Sequence, residues 1–415
     1  MSLLRRSFRA FPASAVGFSA IIAGLGSYVL LILVAKRVPT VGYADFAAFW
    51  SIVVTVGLGV YFPCEQETAR DYSGAVNSPR SRLRRVSYGF AGIVTALLIV
   101  LLVGLSFFPS FVKFFGSFGL IGALGIAFIG YFVQFPTRGL LSGARRTGLY
   151  AATISSEGIL RIVLPGVLVL FGANDAASYG VVVGIAALLS VFPAWVSRPQ
   201  SWLSSPDARL SVFSSRVLRL IIAALAIQLL LNSGILLARV FDTSNTTLAA
   251  QILTALSIAR IPVFAYQALQ VLYMPSVAAA WKSGSVATAR RIIGMAALIV
   301  GGVGIVSVGA MAILGSWVIG FFFAPRLVLP LAPLVVLTAA VSLFLLAQVL
   351  SDATLALGAH TSLLSTWIMG LAAAVLTVIF VADPTYRVIL PLGIGSSVVS
   401  LVFTITLWHR LRRAH

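Results

Sequence analysis

The sequence predicts an all-α polytopic membrane protein with about 12 transmembrane helices, arranged as two six-helix bundles around a central cavity. Three observations predict it. Of the 415 residues, 60% are hydrophobic and only 9% are charged, where soluble domains carry about 25% charged residues. Mean hydropathy is +1.06, so the solvent for most side chains is lipid. The apolar runs are continuous rather than alternating, which excludes a closed barrel.

A helix rises 1.5 Å per residue, so a hydrocarbon core of ~30 Å needs about 20 apolar residues. On that measure, spans fall near 14–35, 43–62, 87–108, 117–137, 149–171 and 176–196. A Ser-rich stretch at 197–215 with Pro199 and Pro206 follows, and then spans near 217–238, 247–273, 291–314, 330–356, 361–382 and 388–408. The N-terminal Arg5, Arg6 and Arg9 resemble the start of a signal peptide. However, the run from Ser14 to Ala35 is too long for one and leads into Lys36 and Arg37 rather than a cleavage site.

Charge fixes the orientation. With the N-terminus in the cytoplasm, 21 of the Lys and Arg residues fall on the cytoplasmic side and six on the other, while Arg161 and Arg260 lie within spans. This is the positive-inside pattern, and it places both termini inside a bacterial cytoplasmic membrane. The net charge of +19 therefore belongs to loops, and no nucleic-acid partner is expected. Cys64 has no cysteine to pair with, and His360, His409 and His415 are scattered, so neither a disulfide nor a metal centre is expected. There is no GxxxxGK[ST] motif and no outer loop long enough for a catalytic domain. A non-enzymatic protein without cofactors follows.

The segments 30–53 and 234–260 share a pattern: an apolar helix end, one or two cations, a short polar turn, then a helix. They stand where a six-plus-six repeat requires them. The predicted bundles are residues 1–205 and 206–415, related by an axis along the membrane normal.

Intramembrane polar residues are the candidate functional groups, because each charge costs at least ~2.5–3.5 kcal/mol to insert and must face protein or water. Arg161 and Arg260 lie near the middle of spans 5 and 8. Glu157 precedes Arg161 by four residues and can pair with it. Arg260 has no such neighbour on its own helix. Ser257, Arg260, Phe264 and Gln267 form one stripe, and Gln228 and Asn232 another; both stripes are expected to line the cavity. A midplane guanidinium facing water matches an anion such as a phosphate. Glu65, Glu157 and Asp352 are the carboxylates available for a coupling ion or gate, with Arg70 beside the first at the end of span 2. Pro165 and Pro262 should bend spans 5 and 8. Gly119, Gly122 and Gly125, and Gly301, Gly302 and Gly304, should permit close helix packing.

The segment AKRVPTVGYADFAAFWSIV (35–53) resembles the first hairpin of bacterial polysaccharide flippases, within the multidrug/oligosaccharidyl-lipid/polysaccharide (MOP) exporter superfamily. FPCEQETAR (62–70) resembles the end of their second helix, and residues 232–275 resemble the seventh and eighth. Two departures stand out: many members have an Asp where Gly234 stands and a Tyr near Ala249 and Ala250. The resemblance implies translocation of an undecaprenyl-diphosphate-linked oligosaccharide by alternating access, with Arg161 and Arg260 holding the diphosphate. It also implies neighbours such as a polysaccharide polymerase or glycosyltransferases. The sister branch implies the alternative, a cation-coupled exporter of drugs or other small molecules.

Overall fold

The computed structural model describes residues 2–74, 81–197, 210–241, 247–358 and 360–413, and the described residues form helices and short turns. Eleven helical runs among them are long and apolar enough to cross a membrane. The twelfth expected span, 247–273, is present as two helices that meet at Arg260. The chain divides into two compact units, Met1–Leu225 and Ala226–His415. Most of the stretch read as a linker, residues 198–209, lies outside the described residues.

In the first unit, α1 (Ser2–Arg37) packs along α7 (Thr147–Leu170), and α6 (Phe118–Gly143) packs against α8 (Ala176–Leu189). The second span is a single continuous helical run. It runs through α2 (Thr40–Val56), a π-helical turn (Gly57–Tyr61) and α3 (Phe62–Gly74). Pro63 explains the turn, since it has no N–H to give to the preceding turn and its ring displaces the carbonyl there. Gly57 and Gly59 sit in the turn because a Cβ on them would press on the Tyr131 ring and on Leu225. Sequence reading ended this span near residue 62; the helix in fact continues to Gly74.

After α4 (Ser81–Ser106), the short helix α5 (Pro109–Phe115) starts on proline and stops at Gly116, whose φ of +75° favours glycine. A side chain on Gly116 would also collide with the Asp45 carboxylate. The short α9 (Phe192–Ser197) precedes α10 (Leu210–Phe241), and the boundary between the units falls within α10. The early turns of α10 place Phe213, Val217 and Ile221 in a buried cluster with Cys64, Tyr72, Leu83 and Phe90.

In the second unit, α14 (Leu331–Ala356) is central, packed between α13 (Val286–Phe322) and α16 (Pro384–Arg413), and α15 (His360–Phe380) lies on α16. Trp367 is fully buried between Phe344 and Phe403 and donates its indole N–H to Ser351 Oγ at 3.2 Å. The broken span consists of α11 (Thr247–Ala259) and α12 (Ile261–Lys282). Its break falls where Pro262 removes a backbone donor: Arg260 N–H still reaches Leu256 O, and Val263 N–H then turns back to Arg260 O. Pro165, by contrast, lies inside α7, which continues past it to Leu170.

The close helix crossings are not at the glycine clusters read from sequence. A Cβ on Gly122, Gly301 or Gly302 would meet nothing within 4 Å, and one on Gly125 would make ordinary contact. Only Gly119 and Gly304 of those six are tight, against Ala177 and Ser342. Glycine meets glycine backbone-to-backbone at Gly26 and Gly158 (α1 and α7), Gly130 and Gly184 (α6 and α8) and Gly370 and Gly395 (α15 and α16), and Gly139 and Gly143 of α6 meet the backbone of α3 at Glu65 and Ala69. Clusters of glycine in one helix say nothing of where the neighbouring backbone passes, and that passage is what needs the missing side chain.

Candidate functional site

Among the described residues of the first unit, two ion pairs lie within the helix packing. Glu65 is only 3% exposed, because the π turn and α3 carry it into the helix packing rather than to a solvated helix end. Its Oε2 lies 3.1 Å from Arg138 Nε, at ion-pair distance although the N–H is not aligned on the oxygen. Tyr150 donates its hydroxyl to the other carboxylate oxygen at 2.9 Å. The Arg138 guanidinium also stacks over Phe135 and Tyr150, at 5.1 and 5.7 Å. Arg138 read as a loop cation in the sequence; α6 runs on to Gly143 and buries it.

The second pair is the one that helix spacing offers. Arg161 Nη2 meets Glu157 Oε1 at 2.6 Å along α7. Gln134 on α6 donates to Glu157 Oε2 at 2.8 Å and to Ser190 Oγ at 2.9 Å. Arg161 donates to Ser27 Oγ on α1 at 2.8 Å and lies 5.7 Å over Trp50. The Gly26–Gly158 crossing is what brings Ser27 this close. Tyr131, Gln134 and Arg138 follow a 3-4 spacing on α6, a stripe visible in sequence once that helix is carried past residue 137.

A third cluster lies where α3 meets α10. Glu67 is buried and faces Arg70 at 2.5 Å and Arg216 at 3.3 Å, while Arg216 also donates to Asp71 at 3.1 Å. Arg70 is thus the exposed partner of a buried acid.

In the second unit, Arg260 is 8% exposed and does have partners. It donates to the main-chain oxygen of Leu231 at 2.6 Å and to Asn232 Oδ1 at 3.1 Å. Asn232 in turn donates to Gln228 O at 3.0 Å. Arg260 therefore fastens the break in span 8 to α10, and Asn232 is part of that bracket, fully buried. Sequence could not supply these partners, because they stand on another helix and one is a backbone carbonyl. Ser257 is buried and donates back to Leu253 O at 2.7 Å, which leaves its hydroxyl engaged within its own helix. Gln228 is partly buried, and its Oε1 has no partner among the described residues. The side chains of Phe264 and Gln267 lie outside the described residues.

Asp352 on α14 differs from the other buried acids. It is 5% exposed and accepts from Tyr266 Oη at 2.6 Å and Gln270 Nε2 at 2.8 Å, both on α12. Tyr273 on the same face donates to Val349 O at 3.4 Å. Among the described residues no cation faces this carboxylate. Tyr266, Gln270 and Tyr273 follow a 4-3 spacing, one helix face built to meet it. An acid bonded only to neutral donors can exchange a proton or a monovalent cation without breaking an ion pair.

No family model matches the chain. An uncharacterised protein of Mycobacterium tuberculosis, Rv1510 of strain H37Rv, is 24% identical over 391 residues, covering 92% of this chain and 88% of that protein. Among solved structures, an inward-facing multidrug resistance MATE family transporter of the MOP superfamily aligns with a TM-score of 0.74 at 15% identity, over 94% of this chain and 95% of that one. The fold is that of the MATE transporters. A Vibrio cholerae MATE transporter, VcmN, gives 0.65 at 14% identity, over 97% of this chain and 98% of that one. The eukaryotic MATE transporter AtDTX14 gives 0.64 at 17% identity, over 98% of each chain. The likeness spans both units.

Proposed function

We propose that this chain is a cation-coupled exporter of amphipathic small molecules, working by alternating access in a cytoplasmic membrane with both termini inside. The observation that carries the reading is Asp352, a buried acid in the second unit that is held, among the described residues, by the neutral donors Tyr266 and Gln270. Retaining such a group in lipid is costly, and proton or ion handling is the usual reason for it. The MATE fold supports the same reading, because its solved examples include multidrug resistance transporters. Glu65 and Glu157 are the further coupling candidates, each engaged with an arginine. Such a protein is a carrier rather than an enzyme.

The test is efflux from proteoliposomes. An imposed proton or sodium gradient should drive cationic dye out through the wild-type protein. Asp352→Asn keeps an acceptor for Tyr266 and Gln270 and should stay folded. Its gradient-driven efflux should fall to the level of protein-free liposomes. Undiminished efflux by that variant would remove Asp352 from the mechanism.

A second reading is favoured by the resemblance of residues 35–53, 62–70 and 232–275 to polysaccharide flippases, and by the two guanidiniums within spans 5 and 8. In it the substrate is an undecaprenyl-diphosphate-linked oligosaccharide, handed over by glycosyltransferases and passed to a polymerase. The diphosphate would have to draw Arg161 from Glu157 and Arg260 from Leu231 and Asn232. Leaflet-specific probing of a labelled polyprenyl-diphosphate oligosaccharide separates the readings. On the flippase reading, Arg260→Ala abolishes translocation and Arg260→Lys restores it only in part, because a point charge replaces a fork.

A further inference from the structure

Among the described residues, one end of the second unit gathers cations without a carboxylate paired to them. Alternating helix directions bring together the C-terminal end of α12 with Lys282, the start of α13 with Arg290 and Arg291, and the last turns of α16 with Arg410, Arg412 and Arg413. Among the described residues none of these six forms an ion pair. The described acids of the second unit are Asp352, which is buried and already engaged, and Asp383, at the opposite end of α16. In the first unit, by comparison, Arg70, Arg138 and Arg216 each meet an acid, although Arg145 and Arg146 at the end of α6 form no ion pair among the described residues.

Aromatic and backbone partners replace acids in the second unit. Leu407 and Leu411 are buried in the last turns of α16, which leaves Trp408 and Arg412, four residues apart, on the outer face. The Arg412 guanidinium lies 3.8 Å over the Trp408 ring. Arg410 points the other way and donates to Leu357 O at the end of α14, at 3.0 Å, which holds the α16 terminus in place. A half-exposed tryptophan where an apolar helix turns basic marks the headgroup level of a bilayer, where its ring is half in lipid and half in water. The guanidiniums of Arg290, Arg291, Arg412 and Arg413 then stand among lipid phosphates, which they match bidentately.

We propose that this end of the second unit binds the headgroups of anionic phospholipids, with Trp408 and Arg412 as its anchor. The proposal needs only that the chain spans a bilayer and is independent of what it transports. The test uses the full chain in nanodiscs of phosphatidylcholine with or without phosphatidylglycerol, read by thermal unfolding and by lipid retention in native mass spectrometry. Phosphatidylglycerol should raise the midpoint of the wild-type protein and be retained, and retention should weaken as salt rises. Arg290→Gln/Arg291→Gln/Arg412→Gln/Arg413→Gln should retain phosphatidylglycerol at least tenfold less, with the same midpoint as wild type in phosphatidylcholine alone. Trp408→Ala should show a smaller loss of the same kind. Equal retention by wild type and the fourfold variant would overturn the proposal, as would retention by the wild type that does not change with salt. Inorganic phosphate should leave the midpoint unmoved; a rise matching that of phosphatidylglycerol would assign the site to free phosphate and overturn the lipid.

Discussion

Arg138→Gln is expected to cost about 3–5 kcal/mol of folding stability, the range for removing one partner of a buried ion pair. The reason is what remains. Glu65 would stay buried with Tyr150 as its donor and no charge to balance it, and the stacking of the guanidinium on Phe135 and Tyr150 would go as well. Unfolding of the detergent-solubilised protein by heat or SDS measures the loss. The double variant Glu65→Gln/Arg138→Gln should recover most of it, because no unbalanced charge is then left in the packing. If the single variant is as stable as wild type, the pair is not buried as described. The same argument makes Arg70→Ala the mild counterpart: Arg70 is mostly exposed and Glu67 keeps Arg216, so the loss should be no more than about 1 kcal/mol.

The second large effect is expected at the crossing of α1 and α7. A Cβ on Gly158 would stand 2.5 Å from Ile22 O and 2.7 Å from Ala23 Cα, both backbone atoms that cannot turn aside. Gly158→Ala should therefore push the two helices apart and cost about 1–3 kcal/mol, the range for overpacking; Gly158→Leu should cost more. The separation would also pull Ser27 from Arg161, so a transport defect should accompany the lost stability. Gly122→Ala is the matched control. A side chain there meets nothing within 4 Å, and it should leave both stability and transport unchanged. A silent Gly158→Leu would show that α1 does not cross α7 at this point.

These two cases also measure how far the sequence could be read. The Glu157–Arg161 pair was legible because both partners stand on one helix, where spacing alone determines that they meet. The Glu65–Arg138 pair was not, because hydropathy ended span 2 before Glu65 and span 4 before Arg138. Both helices continue past those points, and the charges are covered by neighbouring helices. Arg260 read as a midplane cation with no mate on its own helix, and the structure gives it partners. Its partners are Leu231 O and Asn232 Oδ1 on α10, and no pattern within span 8 contains them. Asp352 was one carboxylate among three in the sequence. It is set apart only by Tyr266 and Gln270 facing it from α12.

By itself, the sequence determined the solvent of this protein, the number and order of its spans, and which residues are too polar to face lipid. Those properties are sums over local runs: about 20 apolar residues cross a bilayer whatever lies beside them, and a proline breaks a helix through its own missing donor. Only the tertiary structure decided which buried charges neutralise one another, which glycines sit at crossings, and which carboxylate is left with neutral donors. Helical periodicity says which side chains share a face, but it carries no record of the face they meet.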